Sequence, residues 1–302
     1  MISSSIAAAH AVSREPVPAA LLRIRDLVYE TAGIFQSGTK LHLLQQRCER
    51  RMQALGVTSL REYHHCLTSL PIRKAELVSL LNEITIGETS FFRNRPQFEA
   101  LRKVVLPRVK EAKAKLNLPV IRIWSAGCST GEEPYTLAMA LLEEAPVLFK
   151  GWSFEVHATD INERSVATAQ IGVYGEYSLR NTEPYFLQKY FTGAGDKFTV
   201  TPELKSVVRF SRLNLFDDAE VSSMKAMDVI VCCNVLIYFD AASKTRVVQQ
   251  FSRTLLSHGY LFLGHAESLY RTSSEFQLVH FPSVIAYIKG RSTSESQGAK
   301  RD

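Results

Sequence analysis

From residue 120 onward, short runs of consecutive apolar residues alternate with longer stretches in which apolar residues recur every three or four positions. Short apolar runs are typical of buried parallel strands, and the longer periodic stretches are typical of helices packed on a sheet. The pattern predicts strands at 120–125, 153–159, 206–212, 228–233 and 259–264, helices at 132–144, 162–170 and 241–256, and a hairpin near 276–289. This alternation indicates an α/β fold with a doubly wound, mainly parallel sheet and an antiparallel edge.

The chain before residue 120 shows only the helical pattern. Helices are predicted near 20–31, 38–55, 59–69, 71–83 and 96–114, with glycines and a proline separating the first four. We therefore expect an all-α N-terminal domain at 19–84, a linker and helix at 85–119, and a second domain at 120–290. Residues 1–18 and 291–302 have the composition of disordered segments.

The alternation of strands and helices breaks between residues 172 and 205. Aromatic residues are dense in this segment, and glycines stand at positions 172, 175, 193 and 195. The break predicts a small subdomain inserted into the second domain.

The composition is that of an ordinary soluble protein, with 46% hydrophobic and 22% charged residues. No apolar run reaches the roughly eighteen residues of a membrane span, and no signal-peptide pattern is present. Five cysteines without metal-ligand spacing predict free thiols in a reducing cytoplasm and no metal site. The net charge of +6 suits an acidic protein partner, whereas no basic block with interleaved aromatics favours nucleic acid.

The most informative motif follows the first strand. Small residues fill positions 125–131 in a Gly-x-Ser-x-Gly arrangement, and Glu132 and Glu133 open the next helix. Such a strand, glycine turn and helix bring a ligand close to the backbone in α/β proteins. Because two carboxylates repel phosphate, the motif favours a ligand with a cationic end, such as S-adenosylmethionine (AdoMet). Two alternatives stay open: a turn without a ligand, and a hydrolase nucleophile elbow completed by His265 or His280.

A second acidic residue lies at the end of the second predicted strand. An acid in the position of Asp160 can accept hydrogen bonds from both hydroxyls of a ribose. The alternative is that Asp160 only caps the helix that begins at Asn162. Following the first motif, the ribose interpretation is the one we favour.

Two further segments bring polar side chains to the same edge of the sheet. The β-branched run 229–233 is followed by Asn234 and Tyr238, although the tyrosine could equally be a packing residue. Just before the first strand, Thr89 and Arg93 flank two adjacent phenylalanines. Amide, hydroxyl and guanidinium groups are suited to binding polar ligand groups.

Five motifs in this order resemble those of the CheR-type chemotaxis receptor methyltransferases. They are Thr89-Ser-Phe-Phe-Arg93, Ser129-Thr-Gly-Glu-Glu-Pro-Tyr135, Ala158-Thr-Asp160-Ile, Asn234-Val-Leu-Ile-Tyr238-Phe-Asp240 and Gly264-His-Ala-Glu267. The resemblance covers about residues 20–290. It implies an AdoMet-dependent methyltransferase sheet, a small inserted β-subdomain at 172–205 and an all-α N-terminal substrate-recognition domain.

The resemblance also implies an activity and its residues. The family transfers a methyl group from AdoMet to glutamate side chains of receptors, leaving S-adenosylhomocysteine (AdoHcy). In this sequence the cofactor would be bound by Gly87, Thr89, Arg93, Gly127, Glu133, Asp160, Asn214, Leu215, Cys233 and Asn234, and the substrate carboxylate would be oriented by the catalytic residues Arg93 and Tyr238. The family often has Asn at the position of Gly87, which offers only its backbone. Arg93 could serve either the substrate or the cofactor carboxylate.

The implied partner is a chemoreceptor with an acidic methylation region. Arg47, Arg50 and Arg51 are spaced to share one helix face, which the resemblance identifies as substrate-binding and which could otherwise be a solvated surface. The loop at 191–200 is short, as in members that do not bind the receptor C-terminal pentapeptide. We expect a monomeric cytoplasmic protein that binds no nucleic acid and inserts into no membrane.

Two other functions are compatible with the cofactor motifs. The first is methyl transfer to a small molecule or to nucleic acid, against which the N-terminal domain and the Thr89–Arg93 motif argue. The second is an AdoMet-sensing receptor adaptor without catalysis. That role would require a lost catalytic group, yet Arg93, Asn234 and Tyr238 are all present.

Overall fold

The computed structural model of the chain describes residues 17–69, 71–85 and 87–290. Apart from residues 17 and 18, the two segments expected to be disordered therefore lie outside the described residues. Within the described ranges, no helix combines the length and the apolar character that crossing a bilayer requires.

Four helices form the N-terminal part of the molecule. They are α1 (Ala19–Ala32), α2 (Leu41–Leu55), α3 (Leu60–Thr68) and α4 (Arg73–Ile84). Gly33 and Gly56 end α1 and α2 in left-handed conformations with a φ of 67°, which glycine adopts without strain. Ile24, Leu44 and Leu80, from three of the helices, are buried together in one apolar core.

The predicted helix at 96–114 is interrupted. It consists of α5 (Arg95–Ala100), a π-helical turn (Leu101–Val105) and α6 (Leu106–Ala114). Pro107 explains the interruption. Proline has no backbone N–H to donate, and in a regular α-helix its ring would clash with the carbonyl one turn earlier.

The predicted doubly wound sheet is confirmed. Its strands are β1 (Val120–Ala126), β2 (Ser153–Asp160), β6 (Val208–Arg212), β7 (Met227–Cys232), β8 (Leu255–Leu263), β9 (Phe276–Phe281) and β10 (Val284–Lys289). Within the described residues their order is β6-β2-β1-β7-β8-β10-β9. The first five in this order pair in parallel, and β10 and β9 form the antiparallel edge.

Helices cover the sheet and connect its strands. They are α7 (Glu132–Leu148), α8 (Glu163–Ile171), α9 (Glu176–Leu179), α10 (Pro184–Tyr190), α11 (Pro202–Val207), α12 (Asp218–Val221) and α13 (Ala241–Thr254). Two strands begin more than one residue away from the predicted position. Pro202 starts helix α11, so β6 begins at Val208 rather than 206, and β8 begins at Leu255, directly after α13.

The segment 172–205, where the alternation of strands and helices breaks, contains a small antiparallel sheet. Its strands β3 (Val173–Gly175), β5 (Lys197–Val200) and β4 (Phe191–Ala194) lie side by side in that order. The β4–β5 hairpin pairs Ala194 with Lys197, so its turn has only two residues between them. The subdomain packs against Phe91, whose ring lies 4.9 Å from that of Tyr174 and 5.0 Å from that of Phe191.

The strand order reverses at β1, which has β2 on one side and β7 on the other. Parallel sheets bind ligands in the crevice that this reversal opens beyond the carboxyl ends of the strands. Gly127 follows β1, Asp160 is the last residue of β2, and Asn234 lies just after β7.

Candidate active site

A cavity of about 710 Å³ lies at the reversal point. This volume is within the usual range of small-molecule sites. The cavity brings together all the predicted cofactor-binding and catalytic residues: Gly87, Thr89, Arg93, Gly127, Glu133, Asp160, Asn214, Leu215, Cys233, Asn234 and Tyr238. These residues come from five separate segments of the chain, so only the tertiary fold makes them neighbours.

The glycine turn after β1 approaches the cavity closely with its backbone. Gly127 and Gly131 have left-handed φ values of 87° and 98°. A Cβ at Gly127 would overlap Val235, and one at Gly131 would lie 2.7 Å from the Cβ of Ala169. Both positions therefore require glycine on conformational and steric grounds.

The two glutamates that open α7 face different surroundings. Glu132 is buried, and its carboxylate accepts hydrogen bonds from Thr130 Oγ1 at 2.7 Å and Ser178 Oγ at 2.9 Å. Glu133 lines the cavity and accepts a hydrogen bond from Ser125 Oγ at 2.7 Å. Of these two glutamates, Glu133 is therefore the one that offers its carboxylate to a ligand, and it is the one that the sequence analysis assigned to the cofactor.

Burial raises the pKa of Glu133 to about 7. Hydrogen bonds from Ser125 and Cys233 and the charge of Arg93 act against this rise in pKa, and the charge of Glu267 adds to it. A carboxylate that is partly neutral at pH 7 is stabilised in its charged form when a cation binds beside it.

Asp160 does not cap the following helix. Asn162 does, because its side chain accepts hydrogen bonds from the backbone N–H groups of Arg164 and Ser165. The Asp160 carboxylate accepts one backbone bond from Ser129 and one from Asn162, both at 2.8 Å. A carboxylate has about four acceptor positions, so Asp160 can still accept two ligand hydroxyls. Burial raises its pKa above the ordinary value.

The side-chain amide of Asn214 is already occupied. Its Nδ2 donates to the Thr31 carbonyl at 2.7 Å, and its Oδ1 accepts from the Phe216 N–H at 3.0 Å. Asn214 therefore ties helix α1 to the sheet edge. The Asn214 backbone is occupied as well, because its N–H and its carbonyl form hydrogen bonds with residues six and three positions further along the chain. What this segment presents to the cavity is therefore mainly its neighbouring leucines, Leu213 and Leu215.

The turn after β7 is held by a residue to which sequence reasoning gave no role. Glu267 accepts hydrogen bonds from the backbone N–H groups of Asn234 at 2.8 Å, Gly264 at 2.7 Å and Ile237 at 3.2 Å. Asn234 has a left-handed φ of 62°, a conformation that costs energy in residues other than glycine. Glu267 thus fixes the strained turn that carries Asn234 and Tyr238. The Gly264–Glu267 motif was the available signal.

Arg93 and Tyr238 lie at the mouth of the cavity. Phe91 and Phe92, which directly precede Arg93, are buried and anchor this segment of the chain. The Arg93 side chain is exposed, and its Nη1 donates to the Glu88 carbonyl. Tyr238 is 36% exposed. Both side chains can therefore meet a macromolecule that approaches the opening.

The hydrolase interpretation finds no support in the geometry. A nucleophilic serine needs a histidine within hydrogen-bonding distance. Among the described residues, the Ser129 hydroxyl has no hydrogen-bond partner. Cys233 is no better as a nucleophile, because burial raises its thiol pKa well above the ordinary value and the thiol lies 3.3 Å from Gln97 Oε1.

The N-terminal helices complete the cavity wall. Ala32 and Ile34 line it, and Ile34 forms an antiparallel β-bridge with Phe239. The Phe35 N–H donates to the Tyr238 carbonyl at 2.8 Å, and Tyr29 Oη donates to Asp240 at 3.0 Å. The segment that carries Tyr238 is therefore joined to the end of α1.

The three arginines of α2 do not share one environment. Arg51 forms a two-pronged ion pair with buried Glu76, at 3.0 and 2.7 Å, and Glu76 also accepts from Tyr63 Oη at 2.7 Å. The expectation that Arg51 faces a partner therefore conflicts with its position inside the helical core. Arg50 is 53% exposed and lies 3.6 Å from Glu83, and Arg47 is partly exposed.

Comparison with known families decides the assignment. The family described as "CheR methyltransferase, SAM binding domain" matches residues 87–285, and "CheR methyltransferase, all-alpha domain" matches residues 19–85. The chain belongs to the CheR methyltransferase family. It is therefore an AdoMet-dependent methyltransferase, as the order of its motifs predicted.

Relatives of this CheR-family chain match it over nearly their full length. It is 36% identical to "Chemotaxis protein methyltransferase 2" of Vibrio cholerae over 91% of this chain and 96% of the relative. It is 35% identical to a "Chemotaxis protein methyltransferase" of Borreliella burgdorferi over 82% of this chain and 88% of the relative. A solved magnesium protoporphyrin IX methyltransferase from Synechocystis with bound SAM covers 91% of this chain and 97% of its own, with 15% identity and a TM-score of 0.33.

We expect Glu267→Ala to lower the turnover of this CheR-family enzyme at least tenfold, because three backbone N–H groups lose their shared acceptor. Glu267→Gln keeps the shape and one acceptor oxygen, and should lose less. Steady-state kinetics with both variants, alongside their melting temperatures, measure this. Equal activity of wild type and Glu267→Ala at unchanged stability would remove the positioning role.

Proposed function

We propose that the protein transfers the methyl group of AdoMet to glutamate side chains of chemoreceptors and forms glutamate methyl esters. The observation that carries the proposal is the charge distribution along the cavity. Its interior holds the carboxylates of Glu133 and Asp160, and its mouth holds the exposed guanidinium of Arg93. An anionic interior suits a cationic cofactor, and the Arg93 guanidinium, which shares the mouth with the exposed side chain of Glu88, can bind an anionic acceptor.

The proposed cofactor contacts follow from the side chains that remain unoccupied. Glu133 would bind the ammonium group of AdoMet, and Asp160 would accept hydrogen bonds from the ribose diol. Thr89 would bind the amino-acid end, where Gly87 and Gly127 offer backbone only. Leu215, next to Asn214, would contact adenine, and Cys233 and Asn234 would lie beside the sulfonium. The orphaned acceptor positions of Asp160 and the raised pKa of Glu133 both fit such a ligand.

The proposed reaction needs no general base. A free glutamate has a pKa near 4.3, so more than about 99% is ionised at pH 7. Bound AdoMet supplies an electrophilic methyl group, which bonds to the carboxylate oxygen as its C–S bond breaks, with no proton transferred. The chain has only to hold the two reactants in line, an effect that can supply roughly 7–11 kcal/mol. Arg93 and Tyr238 would orient the incoming carboxylate by donating hydrogen bonds to it.

The relatives' names support a chemoreceptor as the acceptor. We propose that the helical domain at 19–84 recognises the acidic methylation region through Arg47 and Arg50, and not through Arg51, whose charge Glu76 already neutralises. The two-residue turn of the β4–β5 hairpin supports recognition without the receptor C-terminal pentapeptide. We also propose that the enzyme is a monomer of the cytoplasm. Its five free cysteines support the reducing compartment.

Reversing Arg47 and Arg50 to glutamate should raise the KM for receptor severalfold and flatten its dependence on salt, since a screened long-range attraction would be lost. Affinity for AdoHcy should not change, because neither residue lines the cavity. Initial rates at two or more ionic strengths measure this effect. Reversal of Lys225 and Arg253, two exposed charges outside α2, is the matched control. Receptor kinetics identical to the control would leave α2 as a solvated face.

Transfer of radiolabelled methyl from AdoMet to receptor-containing membranes tests the proposed function. Glutamate methyl esters hydrolyse in mild alkali and release volatile methanol, whereas methylated nitrogen is stable. The proposal predicts base-labile label on receptor. Label on nucleic acid or on a small molecule, or AdoHcy binding without any transfer, would favour one of the two alternatives.

A further inference from the structure

Ser129 adopts a backbone conformation that disfavours its own side chain. Its φ is 49°, in the left-handed region, between two glycines of the same turn that have positive φ values. A glycine at position 129 would avoid the steric cost that a Cβ incurs there. Strained residues of this kind concentrate at binding sites.

The Ser129 hydroxyl is buried without a partner. Its oxygen is inaccessible to solvent and forms no hydrogen bond with any described residue. The residue nevertheless lines the cavity, and its backbone N–H donates to Asp160 at 2.8 Å. A buried hydroxyl without a partner is unfavourable, so a ligand in the cavity toward which the Ser129 side chain rotates gains from the contact by supplying a partner.

Gly87 explains where this hydroxyl lies. A Cβ at position 87 would overlap Ser129 Oγ and lie 2.9 Å from Ser129 Cβ. A side chain at position 87 would therefore force the Ser129 side chain to move from this position. The hydroxyl occupies the space beside the segment that carries Thr89 into the cavity.

We propose that Ser129 binds the amino-acid end of AdoMet, with its hydroxyl donating to the cofactor carboxylate, and so makes a side-chain contact that Gly87 cannot. Glu133, four residues further along the same turn and helix, is the acceptor for the ammonium group, so the carboxylate requires donors nearby. This inference rests on the use of AdoMet and not on glutamate as the methyl acceptor.

Calorimetric titration with two ligands tests the proposal. AdoHcy contains the amino-acid end, and 5′-methylthioadenosine lacks it. Ser129→Ala and Ser129→Gly should each bind AdoHcy roughly tenfold more weakly while 5′-methylthioadenosine affinity stays within about twofold. Ser129→Gly should also melt at a higher temperature than Ser129→Ala, because glycine relaxes the left-handed backbone. The glycine variant keeps the test valid if the alanine variant is unstable.

Two results would overturn the proposal. One is unchanged AdoHcy affinity in a folded Ser129 variant. The other is an equal loss of affinity for both ligands, which would place the hydroxyl against the nucleoside. Thr201→Val is the matched control, because it removes another buried hydroxyl that has no partner among the described residues and lies outside the cavity. A failure of receptor methylation would leave these binding results unaffected.

Discussion

Arg93→Ala should lower kcat/KM for receptor methylation by about two orders of magnitude while AdoHcy affinity changes less than about threefold. The reason is the position of the guanidinium, which is exposed at the cavity mouth rather than enclosed with the ligand. There it can align an arriving carboxylate through paired hydrogen bonds. Arg93→Lys keeps the positive charge but lacks the planar guanidinium that donates paired hydrogen bonds, so it should recover only part of the rate.

Initial-rate kinetics and calorimetry on the same preparations measure the Arg93 effect. Arg95→Ala is the matched control, because Arg95 is a neighbouring exposed arginine that pairs with Glu183 outside the cavity. If the loss of AdoHcy affinity equals the loss of rate, Arg93 binds the cofactor carboxylate and the orienting role is wrong.

Affinity for AdoMet should fall as the pH drops below neutral. The pKa of Glu133 is about 7, raised by burial, so its carboxylate is lost progressively below that pH. A neutral acid cannot pair with an ammonium group, and the apparent Kd should therefore rise roughly five- to tenfold between pH 7.5 and pH 6. Binding near pH 6.5 should also release a proton, which titrations in buffers of different ionisation enthalpy detect.

Glu133→Gln should weaken AdoMet binding about ten- to hundredfold at pH 7.5, since a charge-assisted hydrogen bond is worth about 1.5–3 kcal/mol. The variant should also lose the pH dependence and the proton release. His265→Asn is the control, because its imidazole also lines the cavity. If the pH dependence of AdoMet affinity persists in Glu133→Gln and disappears in His265→Asn, Glu133 is not the group responsible for it.

The parts of the site that local sequence determines were predictable. The carboxyl ends of β1, β2 and β7 follow from apolar runs, and parallel strands bring the residues that follow them to one edge. This is why Glu133, Asp160 and Asn234 could be expected to meet before the fold was known.

The parts that depend on distant partners were not predictable. Glu132 turns away from the cavity because Ser178, far along the chain, supplies a donor to it. Arg51 lies inside because Glu76 of α4 is buried against it. Likewise, Glu267 accepts hydrogen bonds from backbone N–H groups in the turn after β7, about thirty positions earlier in the chain. Periodicity carries no information about such pairings.

The most direct test of the account is peptide mass spectrometry of a chemoreceptor cytoplasmic fragment incubated with the enzyme and AdoMet. The account predicts methyl groups on glutamate side chains, formed far more slowly by Arg93→Ala enzyme and removed by mild alkali to restore free carboxylates. Base-stable methyl groups on lysine, arginine or cysteine, or an unmodified receptor in the presence of enzyme that binds AdoHcy, would contradict it.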